Sequence, residues 1–321
     1  MSCSFFAQEN PFRLLDEDLE NMLSTRRSSN DIIICGGTEG LYEPLDTCSI
    51  YNCKTGTFTE STPLPQPRFN AAAAYHNGEV YLVGGMCCSE PSQQPPVHTF
   101  TSSVLCYSVK TNSWNPIANM HKQRGYLSVV THCGWIYAIG GYDSKSCLKS
   151  MERYDPETKT WQLVEDMKFS RTSFAAVTCE EYIYVLGGQG TAHLCTVERY
   201  DTKKRRWEMM PAMSTKRINF GAAQIHGFIY VCGGHDGQDY LRSMERFDPF
   251  TSEWTVVAPM VSPRTGLGVT VLHNEIYVIG GHNGNQYLKS CCKYNPVKDV
   301  WVQVGDMLSA RCYMAVSNIW V

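Results

Sequence analysis

No apolar run in this 321-residue chain approaches the roughly 18 residues needed to cross a bilayer as a helix. Residues 1–12 lack a basic start followed by a long apolar stretch, which argues against a secretory leader and for a cytoplasmic chain with reduced thiols. Positive charge is not in excess. There are 28 Lys and Arg against 31 Asp and Glu, a formal net charge of -3, so neither nucleic acid nor an acidic membrane is an expected partner. The 15 cysteines contain no CxxC pair; Cys87-Cys88 and Cys291-Cys292 are simply adjacent. That spacing does not suit zinc, so no metal and no cofactor are expected, and the thiols read as structural rather than redox-sensing. Serine elbow, phosphate loop and HExxH motifs are missing too. With 43% hydrophobic and 18% charged residues, the composition is that of an ordinary globular protein.

What the chain does have is a repeat. Gly pairs stand at 36–37, 84–85, 140–141, 187–188, 233–234 and 280–281, each after a β-rich run such as IYVL or VYLV. An aromatic residue lies seven positions before a second one: Tyr51 and Phe58, Tyr107 and Trp114, Tyr154 and Trp161, Tyr200 and Trp207, Phe247 and Trp254, Tyr294 and Trp301. Ten residues after each second aromatic comes an arginine: Arg68, Arg124, Arg171, Arg217, Arg264 and Arg311. The next Gly pair begins sixteen after each of the first five arginines. The unit of about 47 residues matches one four-stranded propeller blade. Its first strand is expected to start at the arginine, as over 217–225, and its second to end in the Gly pair. The third carries the Tyr and the fourth the Trp. Turns such as 155–158, with Asp155 and Pro156, join the last two. No helical periodicity appears within the repeats.

Double glycine, Tyr and Trp at these spacings resemble the kelch repeat, over residues 31–321. The resemblance implies an all-β, six-bladed kelch β-propeller. Small residues four after the arginines (Ala72, Ser128, Ala175, Gly221, Gly268, Ala315) would line the crowded axis. Apolar residues three after them (Ala71, Leu127, Phe174, Phe220, Leu267, Met314) would pack between blades. The repeats start at a second strand over 31–37 and end after a first strand beginning at Arg311. The C-terminal strand should therefore complete the N-terminal blade and leave no free edge. Residues 1–30 read as a tail. Phe12, Leu15, Leu19 and Met22 fall at helical spacing, ahead of a linker over 24–30.

Loops before the arginines and loops after the Gly pairs share one face. The longest, over 86–103 with Pro91, Pro95 and Pro96, exceeds its counterparts by nine residues and is a candidate for partner contact. The six arginines are expected to ring the channel mouth there, gripping an acidic peptide or else bracing neighbouring carbonyls. In adaptors of the resembled kind, arginines at matching positions contact acidic motifs. Tyr142 and Asp143, Gln189 and His193, His235, Asp236 and Tyr240, and His282, Asn283 and Tyr287 add aromatic and polar handles. The candidate partner-binding set is thus the six arginines with Tyr142, His235, Tyr240, His282 and Tyr287.

Many kelch-like proteins carry a BTB domain and a helical BACK domain before the propeller and act as substrate adaptors for cullin ubiquitin ligases. The resemblance therefore implies a non-catalytic substrate-recognition propeller that binds a protein or peptide. It would reach a cullin only through a BTB domain, which about 30 leading residues are too few to encode. An actin-binding cytoskeletal role is the alternative, and a kelch-type metabolic enzyme a distant third. His76, His132, His226 and His273 recur at one turn position around the ring and would not converge on a metal. The basic run 203–206 reads as a solvated turn.

Overall fold

The computed structural model describes residues 30–40, 43–90 and 97–320. The tail expected over residues 1–30, with its helix and linker, lies outside them except for Asn30, which opens a strand instead of ending the linker. Among the described residues there is no helix, and the strands form six four-stranded antiparallel sheets plus one two-stranded hairpin.

The sheets are the blades of a propeller, here numbered I to VI. Blade I runs from the innermost strand Ala315–Trp320 through Asn30–Cys35 and Cys48–Asn52 to Thr57–Ser61. Its inner pairing joins the two ends of the chain, from Asn30 opposite Trp320 to Cys35 opposite Ala315. Closure by the C-terminal strand is therefore as the repeat phase predicts, and it pairs an edge that would otherwise be open. Blades II to VI begin with the inner strands Ala72–His76, Ser128–His132, Ala175–Cys179, Gly221–Ile225 and Gly268–Leu272. These strands start four residues later than the arginines. The delay has a local cause: residues two after the arginines (Asn70, Tyr126, Ser173, Asn219, Gly266, Tyr313) have φ of 50 to 61°. Left-handed backbone does not continue a strand.

Alternation along the inner strands places Ala72, Ser128, Ala175, Gly221, Gly268 and Ala315 around an axial cavity of about 170 Å³. Crowding there is severe: a Cβ on Gly221 would stand 2.0 Å from Val269 Cγ2. The core lies between blades rather than at the axis. One cluster joins Tyr81 and Val104 of blade II to Leu127, Ile136, Tyr154 and Trp161 of blade III. The repeated aromatics face each other across the two outer strands, as Tyr154 does Trp161, with ring centroids 5.3 Å apart. Burying each should contribute on the order of 2–3 kcal/mol. Trp161 Nε1 also donates to the Ala118 carbonyl of the preceding blade at 2.9 Å, and Trp114, Trp207, Trp254 and Trp301 do the equivalent. Blade I has Phe58 at this position, which has no N–H to donate.

The Gly pairs are the sockets between blades. The amide of Gly85 donates to the carbonyl of Arg124, 2.8 Å away at the entry to the next blade, and every other pair repeats this bond. A Cβ on Gly84 would sit 2.3 Å from that same oxygen. Together with the positive φ of both glycines, this explains why the position admits no side chain.

Candidate functional site

The arginines do not ring the mouth. Arg68, Arg124, Arg171, Arg217, Arg264 and Arg311 are all buried, at 0 to 5% exposure. Arg171 is typical. Its Nη1 donates to the carbonyls of Gly187 at 2.6 Å and Thr196 at 2.9 Å, and its Nη2 to Thr196 Oγ1 at 2.9 Å. Nε and Nη2 then bind Glu198 Oε1 at 3.2 and 2.9 Å. Arg124 pairs with Glu152, and Arg217 with Glu245, in the same way. Five of the six guanidinia thus tie their own blade's second and third strands to the loop that precedes the first, and Arg68 holds the second through the Gly84 carbonyl. The carbonyl-bracing alternative describes them, and a grip on an acidic peptide at the mouth does not, because side chains this deeply buried do not reach the loop surface.

Burial pulls Arg124 and Arg171 below the usual guanidinium range, and the charges of Glu152 and Glu198 oppose that pull. Burial likewise pushes the Glu152 carboxyl up. The Arg124 charge and the His121 amide outweigh it and hold the group below the usual carboxylate range. Sequence reading missed the three glutamates. The available signal was a Glu-Arg pair at the same place in the third strand of three blades, as in MERYD, VERYD and MERFD.

The rim of the mouth belongs to the left-handed residues instead. Tyr126 donates its amide to the Asn70 carbonyl, Ser173 to Tyr126, Asn219 to Ser173, Gly266 to Asn219, Tyr313 to Gly266, and Asn70 to Tyr313. The circle closes on itself with every bond between 2.8 and 3.0 Å. Asn and Gly at three of the six positions are the residues that tolerate this backbone, a weak sequence trace of the circle.

Around the rim the loops after the Gly pairs stand up as short hairpins, and here the other predicted residues fall. His235 and Tyr240 bridge one another in blade V, as His282 and Tyr287 do in blade VI. Their rings form a ladder across the two blades: His235 to Tyr240 at 4.9 Å, Tyr240 to His282 at 5.9 Å, and His282 to Tyr287 at 4.9 Å. His193 of blade IV joins it, with Nδ1 3.2 Å from the Asp236 carbonyl. Tyr240 is 40% exposed, a large ring facing solvent in the middle of the ladder. The amides of Asp239 and Gln238 hold the Asp236 carboxyl below its ordinary value. Tyr142 stands apart from this group. It packs edge-on against Phe100 at 5.4 Å, beside Tyr126.

Phe100 comes from the long insertion, which is not a plain loop. Met86–Glu90 pairs with Val97–Phe100 as a hairpin, whose tip, 91–96, lies outside the described residues. Val97, Thr99 and Phe100 supply the strand propensity. Among the described residues no three His, Cys, Asp or Glu side chains gather as a metal site.

The model of the KLHDC2/KLHL20/DRC7 Kelch-repeats domain matches residues 21–188 and 166–317. The chain belongs to the Kelch-repeat family. Kelch propellers of this group are protein-interaction domains, and the loop face has the character of one. Human Kelch-like protein 28 is 39% identical over 132 residues, which is 40% of this chain and 23% of that protein. Beta-scruin of Limulus polyphemus is 35% identical over 91 residues, 28% of this chain and 10% of that protein. The aligned part of this chain thus spans less than a quarter of the length of these Kelch relatives. The solved structure of YjhT superposes with a TM-score of 0.72 at 15% identity, covering 84% of this chain and 96% of that one, a likeness of fold.

Proposed function

We propose that this Kelch propeller is the substrate-recognition part of an adaptor for a cullin ubiquitin ligase, acting in the cytoplasm by binding rather than by catalysis. The ligand is a protein or peptide segment taken on the loop face. The observation that carries the reading is the ladder of His235, Tyr240, His282 and Tyr287, with an exposed ring at its centre beside the rim. Exposed aromatics on short, bonded hairpins lose little freedom on binding, which is what interface anchors require. Since the six arginines are internal, the reading rests on ring contacts and hydrogen bonds, with no preference for an acidic partner. In adaptors of this kind a BTB domain contacts the cullin, and the propeller chooses the substrate.

The test compares affinity purification by the wild-type chain and by a Tyr240→Ala, His282→Ala double variant of matched melting temperature. The expected result is a discrete partner lost from the variant alone, whose ubiquitylation falls when the cullin is inhibited. Equal recovery by both chains would remove the loop face from the proposal. A partner whose ubiquitylation ignores the cullin would remove the adaptor role.

A further inference from the structure

The six arginine sites are built alike but not completed alike. In blades III, IV and V a glutamate from the third strand fills a cradle made by the arginine and the loop just before it. Glu152 accepts from Arg124 Nε and Nη2 and from the amides of His121 at 2.7 Å and Lys122 at 3.2 Å. Glu198 does the same with Arg171 and the amides of Lys168 and Phe169. Glu245 does so with Arg217 and Ser214. The cradle is thus an anion site that the chain fills with its own carboxylate.

The other blades depart from this in different ways. Blade II has Leu105 where the glutamate would be, and Pro65 in place of the first amide donor, so its cradle is incomplete, although Arg68 Nε, like Arg311 Nε in blade I, has no hydrogen-bond partner. In blade I Ser49 stands at the glutamate position, and Arg311 Nη2 turns to Ser309 Oγ at 2.8 Å. Blade VI keeps the whole donor set. Arg264 makes the same anchoring bonds as Arg217: Nη1 to the carbonyls of Gly280 at 2.9 Å and Ser290 at 2.6 Å, and Nη2 to Ser290 Oγ at 2.8 Å. Its guanidinium is therefore held in the same orientation. The preceding loop has the same bend, at Val261 and Ser262, both of which carry an N–H. The glutamate position is occupied by Cys292, one of the shorter side chains, at a β-bulge in the third and fourth strands. Arg264 is 5% exposed, and its Nε has no hydrogen-bond partner.

We infer that blade VI binds a small monovalent anion, a halide or a simple carboxylate, between Arg264 Nε, the amides of Val261 and Ser262, and Cys292. The chemistry is that of the glutamate oxygens in the neighbouring blades. A buried guanidinium with an unsatisfied Nε is costly, and a mobile anion relieves it where no side chain does. Entry is short, since Val261 at the tip of the loop is 87% exposed.

The probes are chloride and formate, each titrated at fixed ionic strength against gluconate, a bulky anion that serves as the reference. Thermal unfolding of wild type is compared with Cys292→Ser, which keeps the cradle open, and Cys292→Glu, which supplies the chain's own carboxylate. Binding to the folded chain multiplies the folded-to-unfolded ratio by 1 + [L]/Kd, about a hundredfold at 100 times Kd. Wild type and Cys292→Ser should gain in melting temperature with one or both anions. Cys292→Glu should start higher and lose the response. A response to chloride alone assigns a halide, and one to formate alone assigns a carboxylate. No response in wild type, or an identical response in Cys292→Glu, overturns the site. Should Cys292→Glu fail to fold, crystals of wild type grown in bromide and in formate decide. An anion beside Arg264 Nε upholds the inference, and a water molecule there in both overturns it.

Discussion

Arg171 and Glu198 meet 2.9 Å apart with neither side chain reaching solvent. Such a pair is retained because losing one member strands the other. Glu198→Ala is expected to cost about 3–5 kcal/mol, the range for breaking a buried pair. Urea denaturation measures it. A cost under about 1 kcal/mol, typical of an exposed pair, would mean that the guanidinium relaxes onto water.

Acid should find the same feature. Glu152 and Glu245 are both held below the ordinary carboxylate range: burial raises each, and Arg124 with the His121 amide, or Ser214 with Arg217, outweighs it. The folded form therefore binds fewer protons than the unfolded one. The stabilisation is complete above the unfolded value of about 4.3 and is lost as pH falls through the folded values. Melting temperature should drop from about pH 5 downward, and the drop should be shallower in a Glu152→Gln, Glu245→Gln variant of lower overall stability. Parallel profiles would show that other carboxyls govern acid unfolding.

At the axis, Gly221→Ala would bring a methyl group 2.0 Å from Val269 Cγ2, and Gly268→Ala one 2.2 Å from Val316 Cγ2. Each is expected to destabilise by roughly 1–3 kcal/mol, as overpacking does. Adding Val269→Ala to Gly221→Ala should recover part of the loss, so that the double-mutant cycle shows coupling between the two positions. Strict additivity would indicate that the inner strands simply move apart.

Removal of residues 311–321 takes away both Arg311 and the strand Ala315–Trp320, whose six residues pair with Asn30–Cys35. The truncated chain should lose its cooperative melting transition and expose an edge that promotes association, visible by calorimetry and light scattering. An unchanged melting curve would mean that the ring does not depend on its seam.

The fold was legible because propeller blades write their constraints at fixed spacing. Gly pairs take a carbonyl from the next blade, two aromatic rings face one another across two strands, and small residues crowd the axis. Each demand selects residue types strongly enough to survive in six copies. The site was less legible because spacing locates a side chain along the chain without giving its direction. Arg217 and its equivalents lie beside the loop face, yet the left-handed turn at Asn219 and the pull of Glu245 send the guanidinium inward. The residues at His235, Tyr240, His282 and Tyr287 were found as a set, but not their stacking across two blades, which depends on how neighbouring hairpins lean. The strands in the long insertion were hidden by its prolines at 91, 95 and 96, which drew attention to the tip rather than its flanks.

The circle of six amides at the rim has a consequence for recognition. Each of those N–H groups is already committed to its neighbour, so the backbone at the mouth says the same thing in every blade. What differs is the lettering on it: Asn70, Tyr126, Ser173, Asn219, Gly266 and Tyr313. A frame that is closed and uniform lets these six letters, and the hairpins behind them, be rewritten one at a time without disturbing how the ring is held. New specificities could then arise on this face by point substitution, while the architecture beneath stays constant.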